Sequence, residues 1–330
     1  MTYVLPLRAD TPAGTELVEY VRWLAARCET IVIDGSPPAV FAANAGNWAR
    51  GVIHVPPSAV LASPMGKVGG VLTGVELATH DLLIIGDDDV RYDDAALVTM
   101  RELLNRAEVV RPQNYFVPLP WHACWDTGRT LLNRMTGGDW PGTLGVRRSV
   151  LLRTGGYDGS AMFENLELVR TVRAAGGREF VPLDLYVARR PSTARHFLSQ
   201  RVRQAYDELA RPARLVAQLA VLPLSIVVSL GFGWTGLAAL ALAVAAVAEA
   251  GRQRAGGTRH FPILASLLAP AWLAERAICI WLAVGARVAL GGVPYRGRIL
   301  GHAATPLRVL RARFAHLDQH LGTEAPRRSA

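Results

Sequence analysis

Lysine is all but missing from this chain: of 36 basic residues in 330, only Lys67 is not arginine. A bias that strong toward arginine is expected to replace a lysine that merely sat on a solvated face. Lys67 therefore reads as a compact point charge kept to reach a phosphate or to brace a loop. Cysteine is scarce as well. Cys28, Cys124 and Cys279 lie far apart and form no CxxC pair, which fits a reduced, cytoplasmic environment with all three as small core or membrane residues. Neither GxGxxG nor the GxxxxGK loop occurs, and there is no internal repeat, so the dinucleotide and P-loop readings lose their main support. No signal peptide is expected ahead of the first strand, and the N-terminal domain is expected to stay in the cytoplasm. Acidic residues, finally, thin out along the chain. Residues 1–210 hold 23 of them against 22 basic ones, whereas residues 211–330 hold 4 against 14. The basic excess coincides with long apolar runs, which points to an anionic membrane surface; no basic region interleaved with stacking aromatics speaks for nucleic acid.

What the chain does contain is length enough for two domains and a regular alternation in the first. Tyr3 to Leu7 reads as a strand, Thr15 to Ala26 as an amphipathic helix with Leu17, Val21 and Leu24 on one face, and Glu29 to Asp34 as a second strand. Ser63 to Thr79 reads as a glycine-interrupted loop leading to a helix. Leu82 to Ile85 then forms a buried strand that runs through Gly86 into Asp87, Asp88 and Asp89. Strands alternating with helices predict an α/β domain with a mostly parallel sheet and ligands at the carboxyl ends of its strands. Three adjacent carboxylates repel one another, so a fold that holds them at a strand end is expected to supply a cation, and hard ions such as Mg²⁺ or Mn²⁺ prefer such oxygens. A solvated acidic turn is the other reading of the same residues.

Taken in order, several elements resemble the landmarks of the GT-A domain of family 2 glycosyltransferases, over about the first 210 residues. They are Val4-Leu5-Pro6-Leu7, Ile33-Asp34-Gly35-Ser36, Gly66-Lys67, Asp87-Asp88-Asp89, and Arg147-Arg148 with Gly155-Gly156-Tyr157-Asp158. Phe163-Glu164-Asn165-Leu166-Glu167-Leu168 follows them. The resemblance implies a Rossmann-like nucleotide-diphospho-sugar fold for residues 1–210. It also implies that Asp34 holds the nucleotide base and that Pro6, Lys67, Asp87 and Asp88 meet a UDP- or GDP-sugar. Asp87 and Asp89 would bind Mg²⁺ or Mn²⁺; which of Asp87 and Asp88 bonds the ribose stays open.

The implied chemistry is transfer of the sugar, normally with inversion, to an acceptor hydroxyl, and that hydroxyl needs a general base. Here the chain departs from the family, which has Glu-Asp where this sequence has Glu164-Asn165; a neutral amide cannot take the proton. Glu164 ranks first as base, Glu167 one turn on ranks second, and Asp139 in Gly137-Gly138-Asp139-Trp140 ranks third, with His122 a further candidate. Phe197 to Tyr206 resembles the QxxRW element of membrane-bound members. Gln200 and Arg203 are in place, on one helix face, where Arg203 would pair with the diphosphate; Gln204 stands where Trp is expected, which counts against a processive polymerase.

From Leu215 to Ala248 no residue is charged, a run of 34. One helix of that length would span about 51 Å, well beyond the ~30 Å hydrocarbon core, and Gly231-Phe232-Gly233 divides the run; a transmembrane hairpin over about 215–250 is expected. Arg211 and Arg214 flank one end and Arg252, Arg254 and Arg259 the other, so both ends are expected on the cytoplasmic side. Phe261 to Leu290 is broken by Glu275-Arg276, Arg287 and Pro270 and is expected to form re-entrant or interfacial helices. A basic amphipathic tail occupies 300–330, with an interfacial helix from Leu307 to Leu317 and disorder from Gly322. Residues 1–210 thus read as a sugar-transfer domain on the cytoplasmic face of the inner membrane, with residues 211–330 as the membrane region and a lipid as acceptor. The chain resembles bacterial relatives of ceramide and carotenoid glucosyltransferases. A polyprenyl-phosphate glycosyltransferase, or an inactive donor- or lipid-binding relative, is the alternative. Trp121, Trp125 and Trp140 would line a lipid entrance or belong to the core.

Overall fold

A computed structural model of the chain describes residues 1–295 and 297–321. The tail from Gly322, expected to be disordered, lies outside the described residues. The elements are, in order, β1 (Thr2–Leu7), α1 (Thr15–Ala25), β2 (Glu29–Asp34), α2 (Pro38–Ala45), β3 (Val52–Val55), α3 (Gly66–Leu77), β4 (Leu82–Gly86), β5 (Val90–Arg91) and α4 (Asp94–Leu104). Then come β6 (Val109–Val110), β7 (Gln113–Phe116), α5 (Trp121–Met135), β8 (Thr143–Arg147), α6 (Arg148–Thr154), α7 (Glu164–Ala174), β9 (Glu179–Phe180) and β10 (Tyr186–Arg189). The chain ends with α8 (Ala194–Ser199), α9 (Arg201–Tyr206), α10 (Pro212–Gln253), α11 (Ile263–Leu290), β11 (Val293–Tyr295), β12 (Arg298–Leu300) and α12 (Leu307–Leu321).

Seven strands form one sheet in the order β3-β2-β1-β4-β8-β6-β9. The four from β3 to β4 are parallel, and β8 runs antiparallel to both its neighbours. Tyr3, Val4, Leu5, Ile31, Val32, Leu83 and Ile84 are all at most 1% exposed, because parallel strands covered by helices on both faces bury both sets of side chains. One core lies under α1 and α4, the other under α3, α6 and α7, and the second extends to α9 and α11. A smaller sheet, β5-β10-β7, sets Arg189 opposite Val90.

The seating of α3 decides where the site forms. A Cβ on Gly74 would stand 2.3 Å from Val4 Cγ1, and one on Gly70 would stand 3.4 Å from Pro6 Cβ. Only a helix without side chains on that face can lie so close to β1, and the approach brings Lys67, in its first turn, to the ends of the strands.

In the C-terminal part, α10 is two antiparallel arms joined at Gly233, whose φ of 58° and ψ of −148° break the helix. Arg214 Nη2 donates to Asn133 Oδ1 at 2.9 Å, and Arg134 Nε donates to the Gly251 carbonyl at 3.0 Å. Both ends of α10 therefore meet the last turn of α5, although a straight helix would set residues 214 and 251 roughly 55 Å apart. Each arm is about 20 residues, or ~30 Å, long. The segment from Phe261 differs from expectation: one helix runs from Ile263 through Pro270 to Leu290. Docking carries it past the proline. Ala265, Ala269, Trp272, Ile280 and Ala283 are buried, and the α5 backbone comes so near that a Cβ on Gly128 would lie 3.0 Å from Ala269 Cα. Its other face exposes Leu267, Ile278, Leu282 and Val288 at helical spacing. Both α10 and α11 are long and apolar enough to cross a membrane. Helix α12 is basic and amphipathic but not free for a bilayer, because Leu310 and Phe314 pack on Ala174 of α7 while Arg308, Arg311 and Arg313 face outward.

Gly74→Ala tests the seating of α3. Alanine gains about 1 kcal/mol of helix propensity over glycine, whereas overpacking costs about 1–3 kcal/mol, so a net loss of stability is expected. A melting temperature in detergent equal to or above that of the wild type would show that the helix can stand off from Val4.

Candidate active site

The site is built where β1, β2 and β4 end. Asp87 leaves β4 with its N–H donating to the Gly142 carbonyl at 2.9 Å. Lys67 Nζ reaches 2.6 Å from Asp87 Oδ1 and 2.8 Å from Glu164 Oε1, joining α3, the β4 terminus and the first residue of α7. Burial alone would lower the lysine pKa, but the two carboxylates outweigh it and hold Lys67 well above its ordinary value. Arg189, from β10, places Nε 2.8 Å from Asp89 Oδ2 and Nη2 3.6 Å from Asp87 Oδ2. The cations that offset the three carboxylates are thus Lys67 and Arg189, from the chain itself. Asp88 is exposed.

The acid cluster also bears on a metal. Asp89 Oδ1 is buried without a hydrogen-bond partner, and a Cβ at position 142 would stand 2.9 Å from Asp87 Oδ2, so glycine keeps that face of the carboxylate open. Asp87 and Asp89 are hard oxygen donors and fit Mg²⁺ or Mn²⁺. Among the described residues no group of three or more His, Cys, Asp or Glu forms a cage. An ion held here would keep water or ligand oxygens in its remaining positions, as Mg²⁺ commonly does.

Two cavities meet at Asp87. The first, about 390 Å³, is lined by Pro6, Ile33, Gly35, Lys67, Asp87 and Asp88 among others, at the carboxyl ends of the parallel strands. The second, about 220 Å³, lies beyond Asp87 and Glu164 and runs to the start of α10 and the middle of α11. Six arginines line it, namely Arg129, Arg189, Arg203, Arg211, Arg214 and Arg276, against the acids Asp87, Glu164, Asp207 and Glu208.

The residues singled out from sequence divide between cavity and scaffold. Pro6, Lys67, Asp87 and Asp88 line the first cavity and Glu164 and Arg203 the second. Gln200 accepts from Arg203 Nη1 at 2.8 Å, on the one face expected, and lines a neighbouring cavity beside Asp89. Asp34 does not turn toward the cavity. It is 1% exposed, Oδ1 accepts from the Ser36 N–H, and Oδ2 accepts from Asn44 Nδ2 with His54 Nε2 at 3.1 Å. Burial raises its pKa, but these bonds prevail and hold it below the ordinary carboxylate value. Asp34 locks β2 to α2 and β3, and leaves its neighbours Ile33 and Gly35 on the cavity wall.

Two of the three base candidates likewise lie buried away from the cavities. Glu167 is 0% exposed and accepts from the Thr305 N–H at 2.6 Å, away from both cavities. Asp139, 5% exposed, accepts from Arg129 Nη1, Asn133 Nδ2 and Thr130 Oγ1, so both its oxygens are engaged. His122 has Nε2 2.8 Å from the Ser192 carbonyl and packs against Trp121 and Phe197. Asn165 donates to the Pro141 carbonyl at 3.1 Å. Of the base candidates, Glu164 alone lines the second cavity, beside Asn165 and with Lys67 on its Oε1. Trp140 lines that cavity, while Trp125 donates to Glu275 of α11. Sequence reasoning missed Arg189, Asp207, Arg211 and Arg276. Burial, reinforced by Glu164 against the pull of Arg203, pushes Asp207 up to about 7. Burial, with Arg214 adding and Glu208 opposing, brings Arg211 down to about 10.

No protein family matches the chain, and no curated protein matches it. Several solved structures are similar to it at low identity. A mannosyltransferase from Pyrobaculum calidifontis in complex with GDP-Man and Mn²⁺ is 16% identical, with 99% of this chain and 87% of that one covered and a TM-score of 0.43. Mannosyl-3-phosphoglycerate synthase from Rubrobacter xylanophilus is 15% identical over 60% of this chain and 69% of that one, with a TM-score of 0.39. S. aureus TarS, residues 1–349 in complex with UDP-GlcNAc, is 14% identical over 60% of each chain, also at 0.39. Likenesses this slight carry no argument, and the function has to come from the chain's own residues.

The Asp207 carboxyl gives a pH test. With a folded pKa near 7 and an unfolded one near 4, the folded chain binds more protons between those values, so its stability falls as pH rises through that window. Asp207→Asn is expected to raise the melting temperature more at about pH 8 than at about pH 4.5. An equal change at both would mean that Asp207 titrates at its ordinary value.

Proposed function

We propose that the chain is a family 2 glycosyltransferase of GT-A fold, which moves a sugar from a nucleotide diphosphate to a lipid at the cytoplasmic face of the inner membrane. Residues 1–210 carry the chemistry and residues 211–330 the attachment. The observation that carries the reading is the meeting of two unlike cavities at Asp87, Lys67 and Glu164: one at the strand ends, as donor sites of open α/β sheets are, the other opening toward the apolar helices.

In this reading the nucleotide lies between Pro6, Gly35 and the first turn of α3, with its diphosphate toward Asp87. A divalent ion on Asp87 and Asp89 would neutralise charge on the departing nucleoside diphosphate. Lys67 and Arg189 add fixed positive charge at the same place and orient the carboxylates. The acceptor approaches from the second cavity, beside Glu164 and Asp207, with its apolar part along α10 and α11. Two arms of ~30 Å support α10 as a membrane hairpin. For α11 the support favours lying on the surface over crossing: Glu275, at its middle, pairs with Arg201 Nε at 2.6 Å and so stays with the sheet domain, while an apolar stripe faces outward.

Binding of UDP-, GDP- and dTDP-sugars to the purified protein tests the donor reading. One of them is expected to bind more tightly with Mn²⁺ than without it, and Asp89→Ala to abolish that gain. Lys67→Ala is expected to weaken nucleotide binding about tenfold, the loss of roughly one charge-assisted contact. No binding of any nucleotide, with or without Mn²⁺, would defeat the reading.

A further inference from the structure

Arg276 is the anomaly of the second cavity. It sits in the middle of α11, 2% exposed, and lines the cavity wall. Its Nε and Nη1 have no hydrogen-bond partner, and among the described residues no carboxylate pairs with it; its one neighbour of note is the Trp272 ring, 5.2 Å away. The other cavity arginines are held. Arg129 bonds Asp126 and Asp139, Arg189 bonds Asp87 and Asp89, and Arg211 and Arg214 share Glu208. Even so, Arg211 Nε is also buried without a partner. A buried, unpaired guanidinium is costly, and a fork of free donors beside a cavity matches the oxygens of a phosphate.

Resting on the glycosyltransferase reading, we propose that the acceptor is a lipid monophosphate, its phosphate seated between Arg276 and Arg211 and its apolar chain lying along α10 and α11. Position separates this anion from the donor's diphosphate, since neither arginine lines the first cavity and both belong to the apolar helices or their threshold. The chemistry agrees with the bases on hand. A phosphate oxygen already carries the electron pair that an alcohol must be deprotonated to supply. That pair forms the bond to the anomeric carbon as the bond from that carbon to the donor's β-phosphate oxygen breaks, and its electrons leave with the nucleoside diphosphate. No proton has to be removed from a dianionic acceptor. Asn165, the Lys67 clamp on Glu164, the burial of Glu167 away from both cavities and the engaged oxygens of Asp139 are then all compatible with turnover.

The test uses the full chain in detergent with farnesyl monophosphate, farnesol, inorganic phosphate, UDP and GDP as separate binding probes. Farnesyl monophosphate is expected to bind at least about tenfold more tightly than farnesol or inorganic phosphate. Arg276→Gln is expected to remove that preference while leaving the nucleoside diphosphate affinity unchanged. It should also raise the melting temperature, since it deletes an unpaired buried charge. Equal binding of farnesol, or inorganic phosphate binding as tightly as the lipid, would overturn the proposal. A loss of nucleotide affinity in Arg276→Gln would overturn it too, by assigning the anion to the donor. Failure of the glycosyltransferase reading looks different: no nucleotide binds at all, whatever the lipid does.

Discussion

Everything at the site hangs on one ammonium group held between two carboxylates. Lys67, Asp87 and Glu164 come from three different elements, and without the cation the two acids would repel across the junction of the cavities. An arginine could not take the place easily, because its planar fork is wider than a point charge inserted between two oxygens. The position itself depends on packing rather than charge. A helix with glycine at positions 70 and 74 lies almost against β1, and its first turn is thereby carried to the strand ends.

The second organising feature is the contrast between the cavities. The one at the strand ends is lined mostly by apolar and small residues, with Arg8, Lys67, Asp87 and Asp88 as its charged members; the other is walled by arginines from five elements and from the approach to α10. In the proposed reading the two walls take two different kinds of molecule. The proposed transfer at their junction requires only that the reacting atoms meet beside Asp87, which proximity alone favours strongly.

The strands were legible because burial on both faces leaves unbroken β-branched and leucine runs, as in Thr30 to Ile33 and Leu82 to Ile85. Asp87 to Asp89 and Lys67 stood out by composition. The direction of Asp34 is something that sequence hides: a carboxylate at a strand end can turn toward a ligand or back under the sheet, and here Asn44 and His54 draw it back. Arg189 and Arg276 carried no signal, since they are two among 35 arginines and reach the site from positions about 100 and 190 residues past Asp87. Glu167 and Asp139 had the right type and spacing, but Glu167 is fully buried with one oxygen on the Thr305 N–H, and both Asp139 oxygens are bonded, mostly to α5. Phe261 to Leu290 looked broken because its charged residues were read as interruptions. Glu275 and Arg276 instead face the sheet domain, where one joins Arg201 and the other the arginine cavity.

Helix α5 is the seat for both apolar helices: the two ends of α10 fasten to its last turn, and α11 lies along it. It is also an insertion between strands of the two sheets, so its place is set by residues that precede α10 in the chain. During synthesis the ribosome therefore delivers the seat before the pieces that sit on it. The order matters for Arg134, whose burial is completed only when the Gly251 and Arg254 carbonyls arrive to accept from it.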